Sequence, residues 1–165
     1  MQAEAINPRL VKFIWAAAIF FAWTVIQGAI QGTVPSVSAI THSPVGGLLT
    51  SAHTHVGLMG WMSVALMAAI YYLVPTFSGK SIVWPKLINW IFWIFVVCDV
   101  VAAVLLIIGG SVAGSAFFAG MKEAQLEGII MTYAMPAGIL CDIAAIVALI
   151  FVVQILVSLT RGTKA

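Results

Sequence analysis

The chain has 165 residues, 63% of them apolar and only 7% charged, with a formal net charge of +2. That balance excludes an ordinary soluble domain and predicts an all-α integral membrane protein embedded in a lipid bilayer. No cluster of Lys and Arg exists that could track phosphates, so no nucleic-acid partner is expected.

Residues 1 to 9 are polar and end in Asn7-Pro8-Arg9, a helix start. A first span is predicted over about 10–30, and its length favours a retained anchor over a cleaved signal. Gly32, Pro35, Ser36, Ser38, Ser43, Pro44, Gly46 and Gly47 then mark a long loop that carries His42 but no Lys, Arg, Asp or Glu. The second span, about 52–75, begins with His53 and His55 and is closed by Pro75. A short loop with Lys80 and Trp84-Pro85-Lys86 leads to a third span, about 87–108, ended by Gly109-Gly110. Residues 111 to 128 read as a small-residue loop, part of it helical, with Lys122, Glu123 and Glu127. The fourth span, about 129–159, exceeds the roughly 20 residues that cross a bilayer core, so it tilts, kinks at Pro136 or projects. The whole reads as one membrane domain, a four-transmembrane-helix bundle.

With the N-terminus inside, Arg9, Lys12, Lys80, Lys86, Arg161 and Lys164 all fall on the cytoplasmic side and only Lys122 outside. Both termini are therefore expected in the cytoplasm. Trp84, Trp90 and Trp93 then lie at the inner interface. His42, His53 and His55, the chain's three histidines, lie at the outer end of the bundle.

An imidazole in or near the hydrocarbon is a functional candidate. On a helical wheel His53, Gly57, Gly60, Val64 and Ala68 share one face. A histidine followed by two glycines offers a flat strip against which a haem ligated by His53 would lie. The same glycines also suit plain helix packing. His55 points to another face, with Met59, Met62 and Leu66. Imidazole and thioether suit copper(I), although Met is also an ordinary core filler. His55 is alternatively a hydrogen-bond partner for a haem propionate.

The segment Ser51-Ala52-His53-Thr54-His55, running through Gly60-Trp61 to Tyr71-Tyr72-Leu73-Val74-Pro75, resembles the second transmembrane helix of the haem–copper oxidase and nitric oxide reductase large subunits. It is closer still to short four-helix relatives of the oxidase subunit I type. The match is good over this one helix and elsewhere extends only to hydropathy. The resemblance implies that His53 is an axial ligand of a low-spin haem, here haem b. The full-length family has about a dozen helices and further histidines, which this chain lacks, so the oxygen- or nitric-oxide-reducing centre is not carried over.

Other candidates come from the residues alone. Asp99 and Asp142 each follow a cysteine near mid-span, at similar depth on antiparallel neighbours. They are expected to share a proton, as a relay or as a polar clamp. Cys98 and Cys141 form no CxxC or zinc spacing and read as small core residues. Met131 and Met135 begin the fourth span at the depth of His53, so either is a candidate second axial ligand, as is His42. Met135, before Pro136, is the first choice. Glu123 and Glu127 form either a solvated face or a docking patch for a basic protein.

The expected function is that of a membrane-embedded electron-transfer subunit of a larger respiratory or redox complex. Its partners would be other membrane subunits and, on the outer face, a cytochrome c or cupredoxin; its place would be the prokaryotic inner membrane. The alternatives are a non-redox structural subunit, or a copper-binding protein using His53, His55 and Met59.

Overall fold

The computed structural model describes residues 8–163. Asn7 and Lys164 lie outside the described residues, as do the side chains of Pro8 and Glu123. The elements are α1 (Pro8–Thr33), α2 (Pro35–Thr41), α3 (Gly47–Thr54), a π-helical segment (His55–Ser63), α4 (Val64–Ser78), α5 (Leu87–Phe118) and α6 (Glu123–Arg161). The segment α3–π–α4 is one continuous rod. Four stretches, Arg9–Thr33, Gly47–Ser78, Leu87–Phe118 and Ala124–Arg161, are long and apolar enough to cross a membrane. No strand element forms among the described residues.

Every span is longer than its sequence suggests, and glycine and proline account for the difference. Gly109 and Gly110 do not end the third helix, which continues to Phe118. A Cβ on Gly109 would sit 2.7 Å from Tyr133 Cγ, and one on Gly110 equally close to Leu49 Cγ. Gly114 faces Ile40 in the same way. These glycines let α6, α3 and α2 close on α5, the usual role of small residues between membrane helices. The helix ends instead at Gly120, whose φ of 81° suits a residue without a Cβ. Pro75 lies inside α4, which runs on to Ser78 and stops at Gly79 with φ 62°. The long first loop shrinks because Pro35 opens α2 and Gly47 opens α3. At 39 residues α6 is about 58 Å long, nearly twice the hydrocarbon thickness, and it continues through Pro136.

The largest core cluster joins α1, α4, α5 and α6 through Phe13, Tyr71, Phe92, Phe95 and Phe151. The Phe13 ring lies 4.7 Å from that of Phe92 and 5.9 Å from that of Tyr71. Below this core a polar knot ties the helices to the turn between α4 and α5. Tyr71 Oη donates to Gln154 Oε1 at 2.8 Å. Gln154 Nε2 donates to the carbonyls of Val83, at 2.8 Å, and Trp84, at 3.1 Å. Ser158 Oγ donates to the Gln154 carbonyl and accepts the Val83 N–H. Gln154 and Ser158 are fully buried. Trp84 has φ 50°, a conformation that costs a non-glycine residue on the order of 1 kcal/mol or more. The amide of Gln154 helps hold it there.

The same end of the bundle gathers Arg9, which donates to the Pro85 carbonyl, Lys12, which donates to Asn89, and Lys80, which donates to the Leu159 carbonyl. Ser81 N–H donates to the Thr163 carbonyl at 2.8 Å. Both ends of the described chain therefore lie at one end of the bundle, and α2 with the Lys122 turn at the other.

Gln154→Leu leaves the Tyr71 hydroxyl and two turn carbonyls without partners. It is expected to cost about 1–3 kcal/mol, read as a lower thermal unfolding midpoint in detergent. An unchanged midpoint would show that the knot contributes nothing.

Candidate cofactor site in the second span

The nine residues from His55 to Ser63 form a π-helix, with wider turns than the α-helices on either side. Ser63 Oγ donates to the Leu58 carbonyl, five residues back, at 2.8 Å. π-Helical turns inside α-helices occur frequently at functional sites.

His53 is in the last turn of α3, just before this segment. Its ring lies against Gly28 of α1: a Cβ there would be 2.9 Å from Cε1 and 3.5 Å from Nε2. Nδ1 is enclosed and has no hydrogen-bond partner among the described residues. Gln27, beside Gly28, is buried, and neither atom of its amide has a partner there. One turn on, Gln31 Nε2 donates to the Leu49 carbonyl at 2.9 Å. His53, and the glutamine next in sequence to the glycine that its ring touches, thus both carry unsatisfied polar atoms. Such groups are rare in folded proteins and point to an absent partner.

Gly57 and Gly60 face α1, but α1 covers them. A Cβ on Gly57 would be 3.3 Å from Thr24 Cγ2; one on Gly60 would be 2.6 Å from Phe20 Cγ and 2.8 Å from Asp99 Oδ2. The strip expected to seat a haem is where α1 packs, and the glycine that makes room at the histidine ring is Gly28. Gln27, Gly28 and Gln31 escaped the sequence reading because they lie on another helix. Two glutamines four apart in an otherwise apolar span were the available signal.

His55 turns toward α6. Its Nδ1 is 3.1 Å from Met59 Sδ, and Cys141 Sγ is 3.6 Å from its Nε2 and 3.8 Å from Nδ1. The two histidines therefore address different helices, and a single ion held by His53, His55 and Met59 is not available here. Met62, expected beside His55, is exposed. Cys141, expected to be a plain core residue, faces the imidazole.

The other expected ligands stay apart from His53. Met131 and Met135 are 47% and 59% exposed on α6, which packs mainly on α5. No sulfur–imidazole contact joins either to His53 among the described residues. His42 is exposed, and its Nδ1 lies 2.8 Å from the Ser38 carbonyl, which ties the ring to its own helix. The Asp99–Asp142 clamp is not formed. Asp99 is 2% exposed with neither oxygen hydrogen-bonded among the described residues, while Asp142 is exposed. Turning Cys141 toward His55 swings its neighbour Asp142 outward. Glu127 is exposed, and the side chain of Glu123 is outside the described residues. Among the described residues, no three His, Cys, Asp or Glu side chains converge.

Comparison with known proteins places this architecture. The chain is 28% identical over 102 residues to a cytochrome c oxidase subunit 1 homolog of Agrobacterium tumefaciens, covering 61% of this chain and 18% of that protein. It is 28% identical over 86 residues to a cytochrome c oxidase subunit 1 homolog of Azorhizobium caulinodans, covering 52% of this chain and 15% of that protein. It is 27% identical over 86 residues to the Cbb3-type cytochrome c oxidase subunit CcoN1 of Stutzerimonas stutzeri, covering 52% of this chain and 17% of that protein. The chain thus matches less than a fifth of the length of these relatives. The sequence profile described as Cytochrome C and Quinol oxidase polypeptide I matches residues 3–134, which include α1 to α5 and both span histidines. The chain belongs to the cytochrome c and quinol oxidase polypeptide I family.

Proposed function

We propose that this chain is a haem b-binding, electron-transferring subunit of a larger respiratory or redox complex in the prokaryotic inner membrane, without an oxygen-reducing centre of its own. The observation that carries the reading is the placement of the His53 ring, set against Gly28 with Nδ1 enclosed and Nε2 left for coordination, inside the family-matched segment. A bound b-type haem would supply a one-electron iron couple. His53 fits as its ligand: with Nδ1 shut in, the ring is left to coordinate through Nε2. Gly28 gives the imidazole room, and the unpartnered amide of Gln27 is available to a polar edge of the group. Gly57 and Gly60 set the distance between α1 and the second span. His55 faces away and is not required for this haem.

Met131 and Met135 face outward, so the second axial ligand is assigned to a neighbouring subunit rather than to this chain. The basic end of the bundle, with Arg9, Lys12, Lys80, Lys86 and Arg161, is assigned to the cytoplasm. The opposite end, with exposed Glu127, is then the face for a soluble electron carrier such as a cytochrome c or cupredoxin.

His53→Ala is expected to abolish the haem absorption bands of the purified protein, and His55→Ala to leave them in place. Gly28→Leu should also remove them, by displacing the ring without touching a ligand. Normal bands in His53→Ala would end the assignment. A cysteine introduced beside Lys80 should resist membrane-impermeant labelling from the outer face; labelling there would invert the topology. The purified chain alone should reduce neither oxygen nor nitric oxide, because it lacks the further histidines of a binuclear centre, and turnover without a partner would contradict this.

A further inference from the structure

The cluster on the other face of the second span has no part in the haem reading. The first residue of the π-segment, His55, stands over Met59, and α6 brings Cys141 Sγ to the same ring. All three side chains are half-buried. One imidazole, one thioether and one thiol converge from two helices. We propose that His55, Met59 and Cys141 form a binding site for a copper(I) ion, separate from the His53 site.

Ligand type, geometry and charge agree. Thiolate and thioether are soft donors that select copper(I) over magnesium, calcium or manganese. Metal–nitrogen bonds of about 2.0 Å and metal–sulfur bonds of about 2.3 Å put the ligand atoms roughly 3.5–3.7 Å apart. His55 Nδ1 lies 3.1 Å from Met59 Sδ, while Cys141 Sγ lies 3.6 Å from Nε2 and 3.8 Å from Nδ1, so the ring turns slightly for one nitrogen to face both sulfurs. The flexible Met59 side chain can supply the small adjustment. Binding breaks the Cys141 S–H bond, forms a sulfur–copper bond and releases the proton to solvent, with no change of oxidation state. One monovalent cation and one thiolate then give a neutral site, suited to a low-dielectric bundle. A divalent ion would leave a positive charge there, at considerable cost.

The inference stands independently of the haem assignment, because His53 faces α1 and takes no part in it. The test is a copper(I) titration of the purified full chain in detergent, under ascorbate, against a chromogenic copper(I) chelator. Uptake of one copper(I) per chain is expected, with affinity falling on the order of 100-fold in Cys141→Ser and tenfold in Met59→Leu. Cys98→Ser should bind as the parent chain does. X-ray absorption of the loaded protein should read two sulfur ligands and one nitrogen, and one sulfur in Met59→Leu. That second measurement decides the matter if Cys141→Ser does not fold. Absence of uptake, undiminished uptake in Cys141→Ser, or loss of uptake in Cys98→Ser would overturn the proposal.

Discussion

The structure depends on how closely its helices can approach. Between membrane helices, lipid removes most of the hydrophobic drive that would press them together in water, so contact must come from packing and hydrogen bonds. The chain meets this with glycines on facing helices. Gly57 and Gly60 receive Thr24 and Phe20 of α1, while Gly109, Gly110 and Gly114 of α5 receive Tyr133, Leu49 and Ile40. Helix α5 is thereby the shared wall of the bundle. With α1 and α6 drawn in around the second span, each of its two histidines meets a different neighbour.

Polar groups divide between the two ends of the bundle. At the end holding both termini of the described chain, buried polar atoms are paired: Tyr71, Gln154 and Ser158 satisfy one another and the backbone of the Val83–Trp84 turn. In the other half, His53 Nδ1, the Gln27 amide and both Asp99 oxygens have no partner among the described residues. A paired network rigidifies, whereas unpaired groups raise the energy of the fold. These unsatisfied groups lie on α1, α3 and α5, around the packed faces of the second span. Asp99 is pressed against the bare face of Gly60.

Much of this was legible in the residues. Four spans follow from hydropathy alone, and the divergence of His53 and His55 follows from their spacing of two. The helices run beyond the expected spans, because glycine and proline were read as local punctuation. Gly109-Gly110 and Pro75 instead sit inside helices, where tertiary packing and the lipid's demand for internal backbone hydrogen bonds override local propensity. The site was legible only as far as a single helix reaches. The strip Gly57–Gly60 was correctly placed on the face of His53, but nothing in one helix reveals that Phe20 and Thr24 fill it. Gly28 and Cys141 belong to the site through the rotation of α1 and α6. That rotation is a property of the whole bundle, and it also turns Asp142 and Met135 away from the partners their depth suggested.

The π-segment lies where the second span serves two neighbours at once. On a continuous α-helix, residues two apart diverge and two later residues would have to share the packing of both faces. Here the wider turns begin at His55 itself, after His53 has already been directed to α1. Met59 then stays beneath His55, and Gly57 and Gly60 remain turned to α1. The ladder is loosened where Ser63 returns its hydroxyl to the Leu58 carbonyl. A regular helix buries its polar backbone more uniformly, so nine residues of π-helix are retained at some energetic cost. Around it, one short stretch presents an imidazole to α1 and an imidazole–thioether pair to the cysteine of α6.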